Sequence, residues 1–170
     1  GYVYFLDMET GEKTRDPLYL GWTFKGAGAL DPRGYPILYV GAGYDSNEGT
    51  AHAFIVNLVD MSTMYEFGAI DEFSLRGNLS YFDSSPLVDA ETDTLIWPGE
   101  NGILYLFHLN TVYDQTTGQI SINPDKVVKW HYTGTRTSVQ QYWLGMEDSC
   151  DIYKGYLFVA DNGGNLMCMD

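Results

Sequence analysis

WPGENGILYLFHLNTVY, residues 97–113, places a short turn between two apolar runs, and this arrangement recurs along the chain. The run that ends at the turn, TLIW, is β-branched, aliphatic or aromatic, and the run after it, ILYLFHL, is continuously apolar and of strand length. A run of that kind is typical of a strand covered on both faces. The stretch therefore predicts two strands joined by a tight turn at residues 98–102.

The same pattern returns near the C-terminus and earlier in the chain. YLFVADNGGNLMCMD, residues 156–170, repeats it, and residues 35–59 give YPILYVGAG, a longer turn and AHAFIVNLV. The opening GYVYFLDMETG matches only the part after the turn. The residues just before the four post-turn strands are Gly1, Thr50, Gly102 and Gly164. Their spacings are 49, 52 and 62 residues, and a period of about fifty residues is typical of propeller blades.

A second marker, an aromatic residue leading to glycine, runs in phase with the first. WTFKG begins at Trp22, YEFG at Tyr65 and WHYTG at Trp130. The two tryptophan copies each follow a Thr-Gly pair, which suits a tight connection between the third and fourth strands of a sheet. Each full unit is predicted to have four strands, A to D, such as SSPLV, TLIW, ILYLFHL and VVKWHY. The structural markers of the repeat are Trp22, Trp130, Gly102 and Gly164.

The run GYVYFLDMETG resembles the GxLYALDxxTG repeat of the pyrroloquinoline-quinone-type (PQQ-like) β-propellers. The WxxxG copies are similar to the tryptophan that ends a blade in that family. The resemblance implies an all-β propeller fragment with a WD40-like architecture and blades arranged as strands CD, ABCD, ABCD and ABC. Within one partial domain, 1–170, these segments are residues 1–26, 27–68, 79–134 and 142–170.

The second unit departs from this pattern. It has no clear Thr-Gly pair before Tyr65, and its post-turn strand AHAFIVNLV lacks the YxLD signature. The chain also begins inside a unit at Gly1 and stops in the matching place at Asp170. Because propellers usually close rings of four to eight blades, we expect remaining blades of a parent chain, or a second copy, to cover the two open flanks.

The charge balance excludes some functional classes. The 170 residues carry 23 acidic and 9 basic side chains, for a net charge of −14. Such a surface repels phosphate backbones, so we expect no nucleic-acid binding. No apolar run reaches the roughly 18 residues of a membrane-spanning helix, and we expect no membrane insertion. The resemblance implies a bacterial protein that is secreted or located in the cell envelope.

The chemistry-bearing residues each have a structural alternative. His52, His108 and His131 are separated by 56 and 23 residues, which matches no metal motif, so packed or rim histidines are the simpler interpretation. The acidic segments 45–48 and 89–93 have oxygen ligands for calcium, yet turn chemistry explains the same residues. We therefore predict no metal ligand.

Nucleophile candidates follow the repeat. Ser84-Ser85 and Ser149-Cys150 occupy equivalent places after an aspartate, at the predicted start of strand A, so the fold alone accounts for them. Cys150 and Cys168 are predicted on strands A and C of one sheet, about 9 to 10 Å apart and too far for a disulfide. Both are expected to be small apolar fillers. No catalytic residue is predicted.

The aromatic content is the remaining functional signal. Tyr113, Tyr142 and Trp143 fall in predicted inter-strand segments, where aromatic rings can stack on sugars or on peptide side chains. Packing at a blade interface is the alternative for Tyr142 and Trp143. The segment 134–146, GTRTSVQQYWLGM, is long enough to be a blade-linking loop and is the best place to seek a contact surface.

Two functional classes remain. The first is a non-catalytic propeller that binds a protein, glycan or other ligand, resembling the assembly lipoproteins of bacterial envelopes that share this repeat. The second is part of a quinone-dependent oxidoreductase, in which PQQ and calcium would be bound. The resemblance implies a pair of adjacent cysteines in such dehydrogenases, and the sequence has none. This favours the scaffold, for which no cofactor is predicted.

Overall fold

The computed structural model describes residues 1–21, 24–45, 50–74, 81–125, 127–133 and 143–170. Regular structure in these residues is entirely β-strand, so the predicted all-β fold is confirmed. The strands are β1 (Tyr2–Val3), β2 (Leu18–Tyr19), β3 (Ala29–Leu30), β4 (Ile37–Asp45), β5 (Thr50–Asn57), β6 (Thr63–Gly68), β7 (Leu87–Asp89), β8 (Thr94–Pro98), β9 (Ile103–His108), β10 (Val112–Asp114), β11 (Gln119–Ser121), β12 (Val128–His131), β13 (Asp151–Tyr153), β14 (Tyr156–Ala160) and β15 (Leu166–Met169).

The strands form small antiparallel sheets of neighbours in sequence. Sheet 1 is the pair β1-β2, and sheet 2 has the order β3-β4-β5-β6. Sheet 3 has the order β7-β8-β9-β12, and the hairpin β10-β11 lies between its third and fourth strands in sequence. Sheet 4 has three described strands in the order β13-β14-β15. Each sheet lies inside one of the four segments predicted from the repeat.

The stretch that identified the repeat folds as a hairpin. β8 and β9 coincide with TLIW and ILYLFHL to within a residue, and β12 lies inside VVKWHY. Strand A is displaced, because β7 begins at Leu87 and not at the predicted Ser84. Ser84 is buried and its hydroxyl donates a hydrogen bond to the Pro98 carbonyl, so it joins the next strand by its side chain.

Gly102 and Gly164 occupy equivalent positions in two hairpin turns. Their φ angles are +83° and +85°, and their amides donate to the carbonyl oxygens of Gly99 and Asp161, three residues earlier. A left-handed residue after such a turn is the usual site for glycine, because a Cβ is disfavoured there. The two glycines therefore have the same turn geometry, and their role as markers of a blade repeat stays a prediction.

Successive sheets pack face to face through shared apolar clusters. Leu20 of the opening segment meets Val40 and Val56 of sheet 2 in the first cluster. The largest cluster joins sheet 2 to sheet 3 and contains Ile37, Tyr39, Ala53, Ile55, Ala69, Phe82, Val88, Leu95, Trp97, Ile103, Tyr105, Phe107 and Leu109. Ile96 and Leu104, on the opposite face of sheet 3, join Leu157 and Val159 of sheet 4. Sheet 3 is thus covered on both faces, as its continuous apolar run predicts.

The opening segment, predicted to supply strands C and D of a unit, forms only a short strand pair. β1 and β2 are only two residues each, with Tyr2 paired to Tyr19 and Val3 to Leu18. Beyond them, a single bridge between Leu6 and Lys13 continues the pairing toward the turn. β2 ends three residues before Trp22, which lies outside the described residues, so the predicted equivalence of Trp22 and Trp130 stays a prediction.

Trp130 lies in β12, paired with Leu104, and packs partly buried against the cluster between sheets 3 and 4. Trp130→Ala is expected to lower the free energy of unfolding by about 1 to 3 kcal/mol, less than for a fully buried tryptophan. Chemical denaturation measures this loss. The control is Val128→Ala in the same strand, whose side chain is 63% exposed and whose loss should stay within about 0.5 kcal/mol. Equal losses for the two variants would contradict the packing role.

The two cysteines are separate, as predicted, but only one is a core residue. Cys150 is buried beside β13, where burial raises the pKa of its thiol to about 11. Cys168 is exposed in β15, opposite Phe158 of β14, so its prediction as a buried filler is wrong. It lies on the face of sheet 4 that points away from sheet 3, where no further described strand covers it.

Candidate functional site

The aromatic residues singled out in the sequence do not form one surface. Tyr113 lies in strand β10, not in a loop as predicted, and its ring centroid is 4.8 Å from that of Tyr35. Trp143 precedes Met146, whose amide donates to the Gly99 carbonyl at the start of the β9 hairpin. Tyr113 comes after the C-terminal end of β9, whereas Trp143 lies near the turn before its N-terminal end. Tyr142 lies outside the described residues, as does most of the segment 134–146.

One turn recurs in three units and positions a cleft. In the first unit, the Asp7 carboxylate accepts from the amides of Glu9 and Thr10, and Gly11 has φ +72°. In the third, the Asp114 carboxylate accepts from Thr116 and Thr117, and Gly118 has φ +72°. These are the two predicted Thr-Gly turns. The first joins β1 to β2, but the second closes the separate hairpin β10-β11, so its prediction as the direct connection between the third and fourth strands of sheet 3 is wrong.

The second unit forms a similar turn with different residues. The Asn57 side chain accepts from the Val59 amide, and the Met61 amide donates to the Asn57 carbonyl at 2.8 Å. Met61 occupies the glycine position with φ +65°, a conformation that is uncommon for a residue with a Cβ. Arg15 contacts this turn, donating to the Leu58 carbonyl. The missing Thr-Gly pair therefore does not mean a missing turn.

A cleft of about 420 Å³ separates the Asn57–Met61 turn from the hairpin β10-β11. Its lining residues are Asn57, Val59, Asp60, Val112, Asp114, Thr117, Gly118, Gln119, Ile120 and Ser121. Val112 faces Ser121 across the hairpin and Asp114 faces Gln119, so these four share the face turned to the cleft. The side chains of Tyr113 and Ile120 alternate to the other face, so Ile120 borders the cleft while its side chain packs against the main core.

The two carboxylates of the cleft are exposed and ionised. The hydroxyl and amide of Ser62 hold the pKa of Asp60 below its usual range. Hydrogen bonds from the Thr117 hydroxyl and the Thr116 amide lower the pKa of Asp114 in the same way. Val59 and Val112 are 60% and 66% exposed. The cleft thus combines apolar side chains with two fixed negative charges.

An ionic network centred on the buried Asp31 joins sheets 2 and 3 beside this cleft. The Arg33 guanidinium donates to the carboxylates of Asp31 and Asp93, with 2.7 Å between Nη2 and Asp31 Oδ2. The Asp31 side chain has no exposed surface. The Tyr39 hydroxyl also donates to it at 2.9 Å. Burial alone would raise the pKa of both aspartates, but these hydrogen bonds, with those from Thr111 to Asp93, outweigh burial and lower it.

The same network orients the hairpin that forms the cleft wall. Thr111, directly before β10, donates its amide to Asp93 Oδ2 at 2.7 Å. Arg33 lies over the Tyr35 ring at 4.6 Å from its centroid, and Tyr35 in turn contacts Tyr113 of β10. The position of the hairpin therefore depends on contacts with sheet 2 as well as on its own strands.

Acid is expected to weaken the junction of sheets 2 and 3. The pKa values of Asp31 and Asp93 are lower in the folded chain than their ordinary value of about 3.9. Their contribution to stability is therefore complete above that value and is lost as pH falls through the folded pKa values. Urea midpoints at pH 7, 5 and 3.5 measure this loss. In Arg33→Met the buried Asp31 carboxylate has lost its cationic partner, so the loss of stability below pH 5 should become smaller or turn into a gain. An unchanged dependence of stability on pH would contradict the assignment.

The histidines and the acidic turns take part in local structure. His52 Nδ1 lies 2.6 Å from Glu66 Oε1, and His108 Nδ1 lies 3.1 Å from Asp125 Oδ2. The His131 ring stacks on Phe73 with 4.2 Å between centroids. In the 89–93 turn, the Asp89 carboxylate accepts from the Glu91 amide and the Thr92 hydroxyl. Residues 46–48 of the other acidic segment, 45–48, lie outside the described residues.

The two repeated segments Ser84-Ser85 and Ser149-Cys150 contact each other in the structure. The Ser85 amide donates to the Ser149 hydroxyl at 3.3 Å, so the equivalent segments of sheets 3 and 4 lie side by side. Among the described residues, no three His, Cys, Asp or Glu side chains are grouped closely enough to hold a metal ion. No helix of the described part is long and apolar enough to cross a bilayer.

The sequence interpretation missed both the cleft and the network. A signal for the cleft was present, since Asp7 to Gly11 and Asp114 to Gly118 have the same D-x-x-T-G spacing. The cleft was not predicted because its other wall, the Asn57–Met61 turn, does not have the Thr-Gly pair. Arg33 and Asp93 are 60 residues apart, and no local pattern links them.

The chain was compared with known proteins. A scan against models of protein families and a search of curated proteins both found no match.

Proposed function

We propose that the chain is part of a β-propeller and acts as a non-catalytic scaffold that binds a protein or peptide ligand. Sheets 1 to 4 would be successive blades or parts of blades. Three features support this arrangement: strands adjacent in sequence pair within each sheet, every sheet packs on the next, and the B-C turns repeat at Gly102 and Gly164. Radial repetition of small antiparallel sheets is the propeller architecture.

The neighbours of the outer sheets are part of this proposal. Sheet 4 has three described strands where sheets 2 and 3 have four, and β15 pairs with no described strand other than β14. A largely apolar groove of about 600 Å³, lined in part by Leu104, Trp130 and Met169, lies between sheets 3 and 4. A fourth strand beside β15 would direct alternate side chains into it.

The outer faces of sheets 1 and 4 also favour further sheets. Tyr2, Tyr4 and Tyr19 are exposed on one flank, and Tyr153 and Tyr156 on the other. Apolar faces of this kind are usually covered in an assembly. We propose remaining blades of a parent chain over a second copy of this chain, because a covalent link supplies a high effective concentration.

The observation that carries the binding role is the cleft between the Asn57–Met61 turn and the hairpin β10-β11. It is open, and it exposes two valines beside two ionised carboxylates that the turns hold in place. Concave sites with apolar walls and a few fixed polar groups are the usual form of ligand sites. The cleft is formed by two units, so ligand binding there would use the repeat itself.

Chemical-shift mapping of the 170-residue chain with pools of synthetic hexapeptides of basic, neutral and acidic composition tests the scaffold role. We expect at least one pool to give saturable shifts confined to the two turns and the hairpin. Saturable shifts only elsewhere, or none from any pool, would contradict the site. Saturable binding of PQQ with calcium, accompanied by dye reduction, would replace the scaffold by an oxidoreductase.

A further inference from the structure

We propose that the cleft between the Asn57–Met61 turn and the hairpin β10-β11 takes a lysine or arginine side chain of a partner polypeptide. This inference rests on the proposed scaffold function and names the chemistry of its ligand. The cleft offers a place for each part of such a side chain, since apolar groups line it together with carboxylates.

The apolar part of the cleft fits the stem of a long basic side chain. Val59 of the turn and Val112 of the hairpin both line the cleft and are both more than half exposed. Lysine and arginine bury their methylene stems along apolar surface while the charged group stays near polar partners. A carboxylate ligand would have a shorter stem and the wrong charge.

The charge of the cleft selects a cation. Asp60 and Asp114 are its charged residues, and no basic residue is part of the described lining. Arg15 contacts the neighbouring Leu58 carbonyl and Met61 sulfur but is not part of that lining. The chain as a whole has a net charge of −14, so its field also favours a basic partner.

The size of the cleft favours a single side chain with its adjacent backbone. Its volume of about 420 Å³ is near the lower end of the roughly 300 to 1,000 Å³ of small-ligand sites. A whole helix would need a longer apolar groove. An extended peptide that projects one basic residue from its backbone meets this limit.

The experiment titrates the chain with acetyl-Gly-Lys-Gly-amide while the methyl signals of Val59 and Val112 are followed by NMR. The matched ligand carries norleucine in place of lysine, which keeps the stem and removes the charge. We expect saturable shifts with lysine, weaker binding at higher salt, and little binding of norleucine. Equal binding of the two peptides, or tighter binding of a glutamate peptide, would overturn the inference while leaving the scaffold role intact.

One variant tests the Asp114 carboxylate of the cleft, and a second variant outside the cleft serves as its control. Asp114→Asn keeps an oxygen that can accept from the Thr116 amide, and it should raise the dissociation constant of the lysine peptide about tenfold or more. The control is Asp7→Asn, which makes the same change in the equivalent turn of the first unit, outside the cleft. Its effect should stay within about twofold, because only screened long-range charge is lost.

Three outcomes of this comparison would overturn the inference. Equal effects of Asp7→Asn and Asp114→Asn would mean that overall charge, and not the cleft, binds the peptide. Unchanged binding by Asp114→Asn would remove the carboxylate from the site. Saturable shifts of the same valines with calcium chloride, at concentrations that displace the lysine peptide, would reassign the carboxylates to a metal ion. Unfolding midpoints of both variants check that the turns remain folded.

Discussion

Arg33→Met is expected to lower the free energy of unfolding by about 3 to 5 kcal/mol. The substitution keeps the length of the side chain but leaves the Asp31 carboxylate buried with the Tyr39 hydroxyl as its remaining side-chain donor in the described network. Removing one partner of a buried ion pair costs more than the pair itself contributes, because the uncompensated charge stays in a low dielectric. Chemical denaturation at pH 7 measures the loss.

The control for this prediction is Arg15→Met. Arg15 donates to a backbone carbonyl in an exposed contact, so its loss should be within about 0.5 kcal/mol. Arg33→Lys should give an intermediate result, since one ammonium cannot reproduce the two-pronged contact with Asp31. A loss for Arg33→Met no larger than that for Arg15→Met would show that the network contributes little to the junction of sheets 2 and 3.

Gly41→Ala is expected to destabilise the chain by about 2 to 3 kcal/mol or more, as overpacking in a closely packed interior does. A Cβ at Gly41 would lie 2.2 Å from the Phe82 carbonyl oxygen and 2.7 Å from the Phe82 Cβ. A backbone atom cannot rotate away as a side chain can. The segment that leads into sheet 3 must therefore move, together with the buried Phe82 ring in the core between sheets 2 and 3.

Gly118→Ala provides the comparison for Gly41→Ala. Its added Cβ would meet no atom within 4 Å, but its φ is +72°, so only backbone strain of about 1 to 2 kcal/mol is expected. Denaturation of the two variants side by side separates contact from strain. A Gly41→Ala loss smaller than that of Gly118→Ala would contradict the close approach of the Phe82 backbone to sheet 2.

The sequence predicts the strands well where pattern and turn agree. β8 and β9 could be located because an apolar run stands on each side of a turn whose glycine takes a left-handed conformation. The opening strands β1 and β2 have only two residues each, although GYVYFLDMETG matches the post-turn pattern of the other units. Tyr2, Tyr4 and Tyr19 are exposed, so no described sheet packs on this face, and strands with little packing are held less strongly.

Long-range contacts were beyond prediction for a physical reason. The Arg33 network brings together residues that are 60 positions apart, and its partners are common turn residues in the sequence. The hairpin β10-β11 was missed because each strand has three residues, too few for a hydrophobic period to be visible. The burial of Cys168 was predicted wrongly for another reason. Side chains alternate between the two faces of β15, but the sequence does not show which of these faces a neighbouring sheet covers.

The candidate site depends on the same limits. Tyr113 was chosen from the sequence for its ring, but in the fold that ring supports the hairpin through Tyr35, and the opposite hairpin face lines the cleft. The sequence predicted a Thr-Gly turn at residues 114–118, but it gave no sign that the Asp114 carboxylate could contact a ligand. The nearness of its turn to Asn57 follows only from the packing of sheet 2 against sheet 3.

The central claim is that successive small sheets pack face to face in sequence order. Methyl NOE spectroscopy on the 170-residue chain tests it directly. The account predicts NOEs between Ile96 or Leu104 of sheet 3 and Leu157 or Val159 of sheet 4, and separately between Ile55 of sheet 2 and Leu95 or Ile103 of sheet 3. Strands with the described pairing inside each sheet but without either set of NOEs would contradict it.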